Sequence, residues 1–175
     1  MSVNARAARP LAISMPVVAC LLASCATGRD APPPELRPAD GGRVIATLRA
    51  AGVQVYQCKR DQGGQLVWTF RAPEAALYDA YGRPAGKHYA GPTWEASDGS
   101  KVTGKVLRQA ANAREADSIP LLLLQATSSG GPGLLSTARY VQRLNTQGGV
   151  ALPQACSQEG IENRMPYRAD YVFID

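Results

Sequence analysis

His88, Glu95 and Asp98 are the side chains in this sequence whose types and spacing could do chemistry together. A histidine titrates near neutrality and serves as a general base when a carboxylate orients it. Glu95, Asp98 and the more distant Asp79 are the acids in reach, so these residues form the candidate catalytic set. The ordinary alternative is a histidine whose ring nitrogens bond the backbone of a tight turn. Trp94 lies in the same stretch, and a half-exposed tryptophan can grip an apolar or sugar ligand, although Trp68 and Trp94 would more commonly anchor a core. His88, Trp94 and Glu95 are expected to converge on a partly open binding pocket.

Much other chemistry has no motif behind it. A lone histidine removes sites built on two or more imidazoles. Glu95 and Asp98 match no calcium loop. There is no Gly-x-Ser-x-Gly elbow and no Gly-x-Gly-x-x-Gly fingerprint, and no Lys-Ser or Lys-Thr pair follows the glycine-rich Ser128 to Gly133 loop. No metal and no cofactor is therefore expected. Lysine and arginine total 19 against 14 acids. The basic residues are scattered rather than interleaved with stacking aromatics, which argues against nucleic acid as a partner.

The N-terminus reads as an export signal over residues 1–24. Arg6 and Arg9 are its basic region, and Leu11 to Leu22 is an uncharged run shorter than the about 20 residues that span a membrane. Leu22-Ala23-Ser24-Cys25 resembles the lipobox of bacterial lipoproteins. That resemblance implies cleavage before Cys25, lipid (palmitate among the acyl chains) on that cysteine and, with Ala26 rather than aspartate following, retention at the outer membrane, facing the periplasm. Residues 25–42, with Pro32, Pro33, Pro34 and Pro38, read as an extended tether. Cys20 leaves with the signal and Cys25 carries lipid. Cys58 and Cys156 remain, and an oxidising compartment allows them to pair.

The elements that must position the candidate residues follow from periodicity. Val44, Ile45, Leu48 and Ala51 lie at helical spacing before Gly52, which predicts a short helix over 43–51. Strands are expected at 53–59, 66–70, 76–79, 86–89, 93–96, 101–106, 121–126, 139–144 and 167–174. Pro73 should interrupt the second run. Gly91-Pro92 should bend a strand, and Asp98-Gly99 should close a two-residue type I′ hairpin. Leu121 to Ala126 is apolar on both faces and should be covered on both. Frequent turn signals without a long helix predict an all-β domain over 43–175, a single antiparallel sandwich or small barrel with one short helix near its start.

The run Gly86-Lys87-His88-Tyr89-Ala90-Gly91-Pro92-Thr93-Trp94-Glu95, continued by Asp98-Gly99-Ser100-Lys101-Val102-Thr103-Gly104, resembles the signature of a family of secreted bacterial and fungal proteins catalogued as a domain of unknown function. Trp68-Thr69-Phe70, Ile119-Pro120-Leu121-Leu122-Leu123 and Val141-Gln142-Arg143-Leu144-Asn145-Thr146 carry the likeness from roughly Gly52 to Phe173; Leu121 stands where relatives often have tryptophan. The resemblance implies an exported β-rich domain. The leading expectation is a lipid-anchored envelope protein whose domain binds a small molecule, a glycan or a protein. The alternative is a small hydrolase or lyase with His88 as general base.

Overall fold

The computed structural model describes Met1 and residues 31–175; the expected signal segment and Cys25 lie outside the described residues. Eight antiparallel strands, each paired with the next in sequence, close into one barrel: β1 (Val44–Arg60), β2 (Leu66–Tyr78), β3 (Pro84–Tyr89), β4 (Thr93–Ala96), β5 (Lys101–Ala110), β6 (Leu121–Ser128), β7 (Tyr140–Gly148) and β8 (Glu162–Ile174). The expected all-β fold is present as a barrel, and β1 closes it on β8 from Val44–Ile174 to Gln57–Glu162. Alternation places Leu48, Leu77, Trp94, Val102, Leu124, Val141, Tyr171 and Phe173 in one buried interior. Ion pairs such as Arg164–Glu74 and Arg71–Glu162 stud the outside. Apolar-in and charged-out is the reverse of a membrane-spanning barrel.

Three local expectations are corrected. Residues 43–51 are not helical: Val44 to Ala51 open β1, where pairing with β8, joined from Arg49 by pairing with β2, outweighs a marginal helical periodicity. Gly52 is no helix cap, because a Cβ there would collide with the Glu74 carbonyl of β2. The helical turn near the start is instead 3₁₀, Pro34–Leu36. Leu66 to Tyr78 is one strand that runs through Pro73. Asp98-Gly99 does not form a type I′ turn. Gly99 N–H donates to Ala96 O, Ala96 N–H to Ser100 O, and only Gly99 has positive φ, at 85°. That is a three-residue loop with glycine at its left-handed position.

Leu36, inside the stretch expected as a tether, is fully buried against Leu121, Leu123 and Leu144 on the outer face of the barrel. Gln142 Nε2 donates to Leu36 O at 2.6 Å and fastens it there. This explains why β6 is apolar on both sides: Leu122 and Leu124 face the core while Leu121 and Leu123 receive the Leu36 segment.

The two ends of the barrel differ. At one, the β6–β7 connection folds back as a plug, with Leu135 and Ala138 buried in the core. At the other, Cys58 and Cys156 are disulfide-bonded, with Cα atoms 5.8 Å apart, so that the β7–β8 connection is tied to the β1–β2 hairpin. Trp68 Nε1 donates to Gln154 O and Tyr56 OH to Gly149 O along the same seam.

Candidate functional site

β3 and β4 are short. They pair from Gly86–Ala96 to Tyr89–Thr93 and turn back through Ala90-Gly91-Pro92, so the expected bent strand is a hairpin. β2 pairs with β3 only at Ala75 to Tyr78, and β5 pairs with β4 only at Lys101 to Thr103. Below that hairpin, β2 from Leu66 to Glu74 and β5 from Lys105 to Ala110 face each other across a gap in the wall. A cavity of about 440 Å³ lies behind it. Its exposed lining residues, among them Phe70, Arg71, Gly91, Val106 and Gln109, belong to the edges of that gap, so the cavity opens there.

His88 and Trp94 form the inner wall. They are cross-strand partners on the inward face, their rings stack with centroids 4.5 Å apart and planes 8° from parallel, and Tyr171 packs edge-on against both. Gly104 lets the indole lie flat against β5, since a Cβ there would be 2.8 Å from Trp94 Cζ3. His88 Nδ1 is 2.8 Å from Thr93 O and, facing a carbonyl, must donate; Nε2 of the neutral ring is then an acceptor. Burial, with the Arg143 charge adding to it, lowers the His88 pKa to about 4 against the opposing Thr93 hydrogen bond.

The expected convergence is corrected for Glu95, and the expected partners Asp98 and Asp79 lie elsewhere. Glu95, one residue past Trp94, faces outward by strand alternation. It accepts from Tyr89 OH at 2.7 Å and pairs with Lys87 and Lys101, each at 3.3 Å; these contacts, Tyr89 foremost, lower its pKa. Asp98 is at the plugged end. Its carboxylate accepts from Ser100 Oγ and N–H and from Leu134 N–H, while Ser100 Oγ accepts from Leu135 N–H, a latch that holds the plug. Asp79 organises its own turn through Tyr81 and Arg83. None of the three orients His88. Among the described residues, no group of three or more His, Cys, Asp or Glu side chains is placed to hold a metal.

Sequence reasoning missed Gln54 and Arg143. Gln54 is buried on the inward face of β1, and its Nε2 has no partner. Arg143 of β7 stands between Leu122 of β6 and Tyr171 of β8, both cavity residues, so it too faces inward. Its neighbours Gln142 and Leu144 face outward onto the Leu36 segment. Arg143 Nε donates to Pro120 O at 3.0 Å. The available signal was Gln142-Arg143 within the apolar β7 pattern, where one polar residue had to face in.

No curated protein and no solved structure matches this chain. A family model described as "Protein of unknown function (DUF3455)" matches residues 38–175, which contain all eight strands and every residue that lines the cavity, and the chain belongs to that family.

Proposed function

We propose that the domain is a small-molecule-binding barrel of the bacterial cell envelope, held to the outer membrane by lipid on Cys25. The cavity behind the β2–β5 gap carries this reading. It falls within the about 300–1,000 Å³ usual for small-ligand sites, and eight strands enclose an interior that is either filled by side chains or holds one small ligand. Here the plugged half is filled and the gapped half is not. Phe70, Pro92, Val106, Ile119, Leu122 and Leu124 give the cavity an apolar body, while His88, Trp94 and Tyr171 give it a stacked, rigid inner wall. The disulfide suits an exported protein. His88, buried, weakly basic and bonded to the Thr93 carbonyl with no orienting carboxylate among the described residues, serves this binding wall better than it would serve as a general base.

The neutral fluorophore N-phenyl-1-naphthylamine tests the cavity directly. Saturable fluorescence enhancement is expected with the wild-type domain, reduced at least tenfold in affinity by Val106→Trp, which fills the gap from a half-exposed position. Absence of saturable binding to the folded wild type would overturn the small-molecule reading.

A further inference from the structure

The cavity wall is unbalanced in charge. It contains two arginines, Arg71 and Arg143, and no aspartate or glutamate. At the rim, Arg71 is paired with Glu162. Arg143 is half-buried, and no carboxylate pairs with it among the described residues; its hydrogen bond to Pro120 O fixes the guanidinium but leaves its charge uncompensated. A cation withdrawn from water without a counter-charge is costly unless something supplies one.

The neighbouring polar groups lean the same way. Gln54 and Trp94, 2% and 1% exposed, are cavity residues whose Nε2 and Nε1 donors have no acceptor. The Tyr171 hydroxyl, kept protonated by burial, already has the Tyr167 hydroxyl as its partner at 3.4 Å. A buried donor left unmatched is unfavourable, and protein interiors ordinarily satisfy it. Two unmatched donors and an uncompensated guanidinium around one apolar cavity describe the complement of an anionic acceptor.

Building on the small-molecule reading above, we infer that the ligand is a monocarboxylic acid with an apolar tail, its carboxylate on Arg143 and its tail against Leu122, Val106 and Phe70 toward the gap. One planar, singly charged carboxylate matches one guanidinium in both charge and geometry. A phosphate dianion would leave a negative charge unmatched, and a neutral ligand would leave the arginine so.

Decanoate and decan-1-ol differ chiefly in the head group, and displacement of N-phenyl-1-naphthylamine from the folded domain compares them. Decanoate is expected to bind at least tenfold more tightly than decanol, and Arg143→Met, its fold checked by circular dichroism, to bring decanoate down to the level of decanol. Arg143→Lys should keep part of the preference. Equal affinities on the wild type would overturn the carboxylate inference while fluorophore binding left the cavity reading standing, and the wild-type comparison decides even where the variant does not fold. A preference surviving in folded Arg143→Met would remove Arg143 from the head-group site. Where the fluorophore does not bind the folded wild type, the small-molecule reading falls and this inference falls with it.

Discussion

His88 should make the stability of this domain depend on pH in a window where little else titrates. In the folded protein burial lowers its pKa to about 4 from an ordinary 6.5. The unfolded chain therefore binds a proton that the native one refuses, and stability rises with pH between those values. The contribution is fully present above pH 6.5 and is lost progressively as the pH falls toward 4. At about 1.36 kcal/mol per pH unit, acidification from pH 7.5 to 5.0 should cost about 2 kcal/mol through this residue alone. The carboxylates act lower: Asp79, Glu95 and Asp98 are held below ordinary values of 3.8 to 4.5, so their contribution is lost as the pH falls through and below that range. Urea unfolding of wild type and His88→Gln at several pH values from 7.5 to 5.0 isolates the term. The wild type should lose about 2 kcal/mol more than the variant across that range. Parallel pH profiles would refute the reasoning and show that His88 takes up a proton in the folded state, as the general-base reading requires.

Gly91, at φ 120°, would bring a Cβ to within 2.7 Å of Thr93 Oγ1, so Gly91→Ala should destabilise by roughly 1–3 kcal/mol in chemical denaturation. Gly63→Ala, where the new methyl meets only an exposed Asp61 oxygen at 3.3 Å, should lose less, and the reverse order would be decisive against the hairpin account. Cys58 and Cys156 are 98 residues apart in sequence. Replacing both by serine should lower stability by about 4–5 kcal/mol on the chain-entropy treatment, read as a lower melting temperature than the oxidised wild type. Cys25→Ser should release the protein from membrane fractions or leave its precursor uncleaved; a wild type that fractionates as soluble with an unmodified N-terminus would end the lipid-anchor proposal.

The sequence was most legible where alternation was strict. The expected bounds of Thr93 to Ala96 match the observed strand, and most other strands are placed correctly but drawn short, because pairing with neighbours extends them through polar residues such as Arg108 and Gln147. Val44 to Ala51 misled because alanines and isolated apolar residues fit a helical period as well as a two-residue one. The site was half legible. His88 and Trp94 were singled out and do face one cavity, but proximity in sequence drew in Glu95, which alternation sends to the other side of the wall. Arg143 and Gln54 come from strands far away in sequence, and only the closed register of the barrel brings them to the same interior.

Pro73 and Pro166 show why the barrel opens where it does. A proline offers no N–H, so a strand accommodates it where a partner is present on one side only. β8 pairs with β1 along most of its length, but with β7 only from Tyr167 onward, and Pro166 immediately precedes that residue. β2 pairs with β1 throughout, but with β3 only from Ala75, just beyond Pro73. Pro73 therefore does not end its own strand, as its local sequence suggests; it marks where the neighbouring strand is missing. The two positions then diverge. Beside Pro166 the chain after β7 fills the space, with Gly149 bridged to Ser118, bonded by Tyr56 and carried on the loop that the Cys58–Cys156 disulfide ties down. Beside Pro73 nothing continues the ladder, because the β3–β4 hairpin turns back at Gly91-Pro92. The same backbone constraint thus marks a sealed seam on one side of β1 and the entrance to the His88–Arg143 cavity on the other.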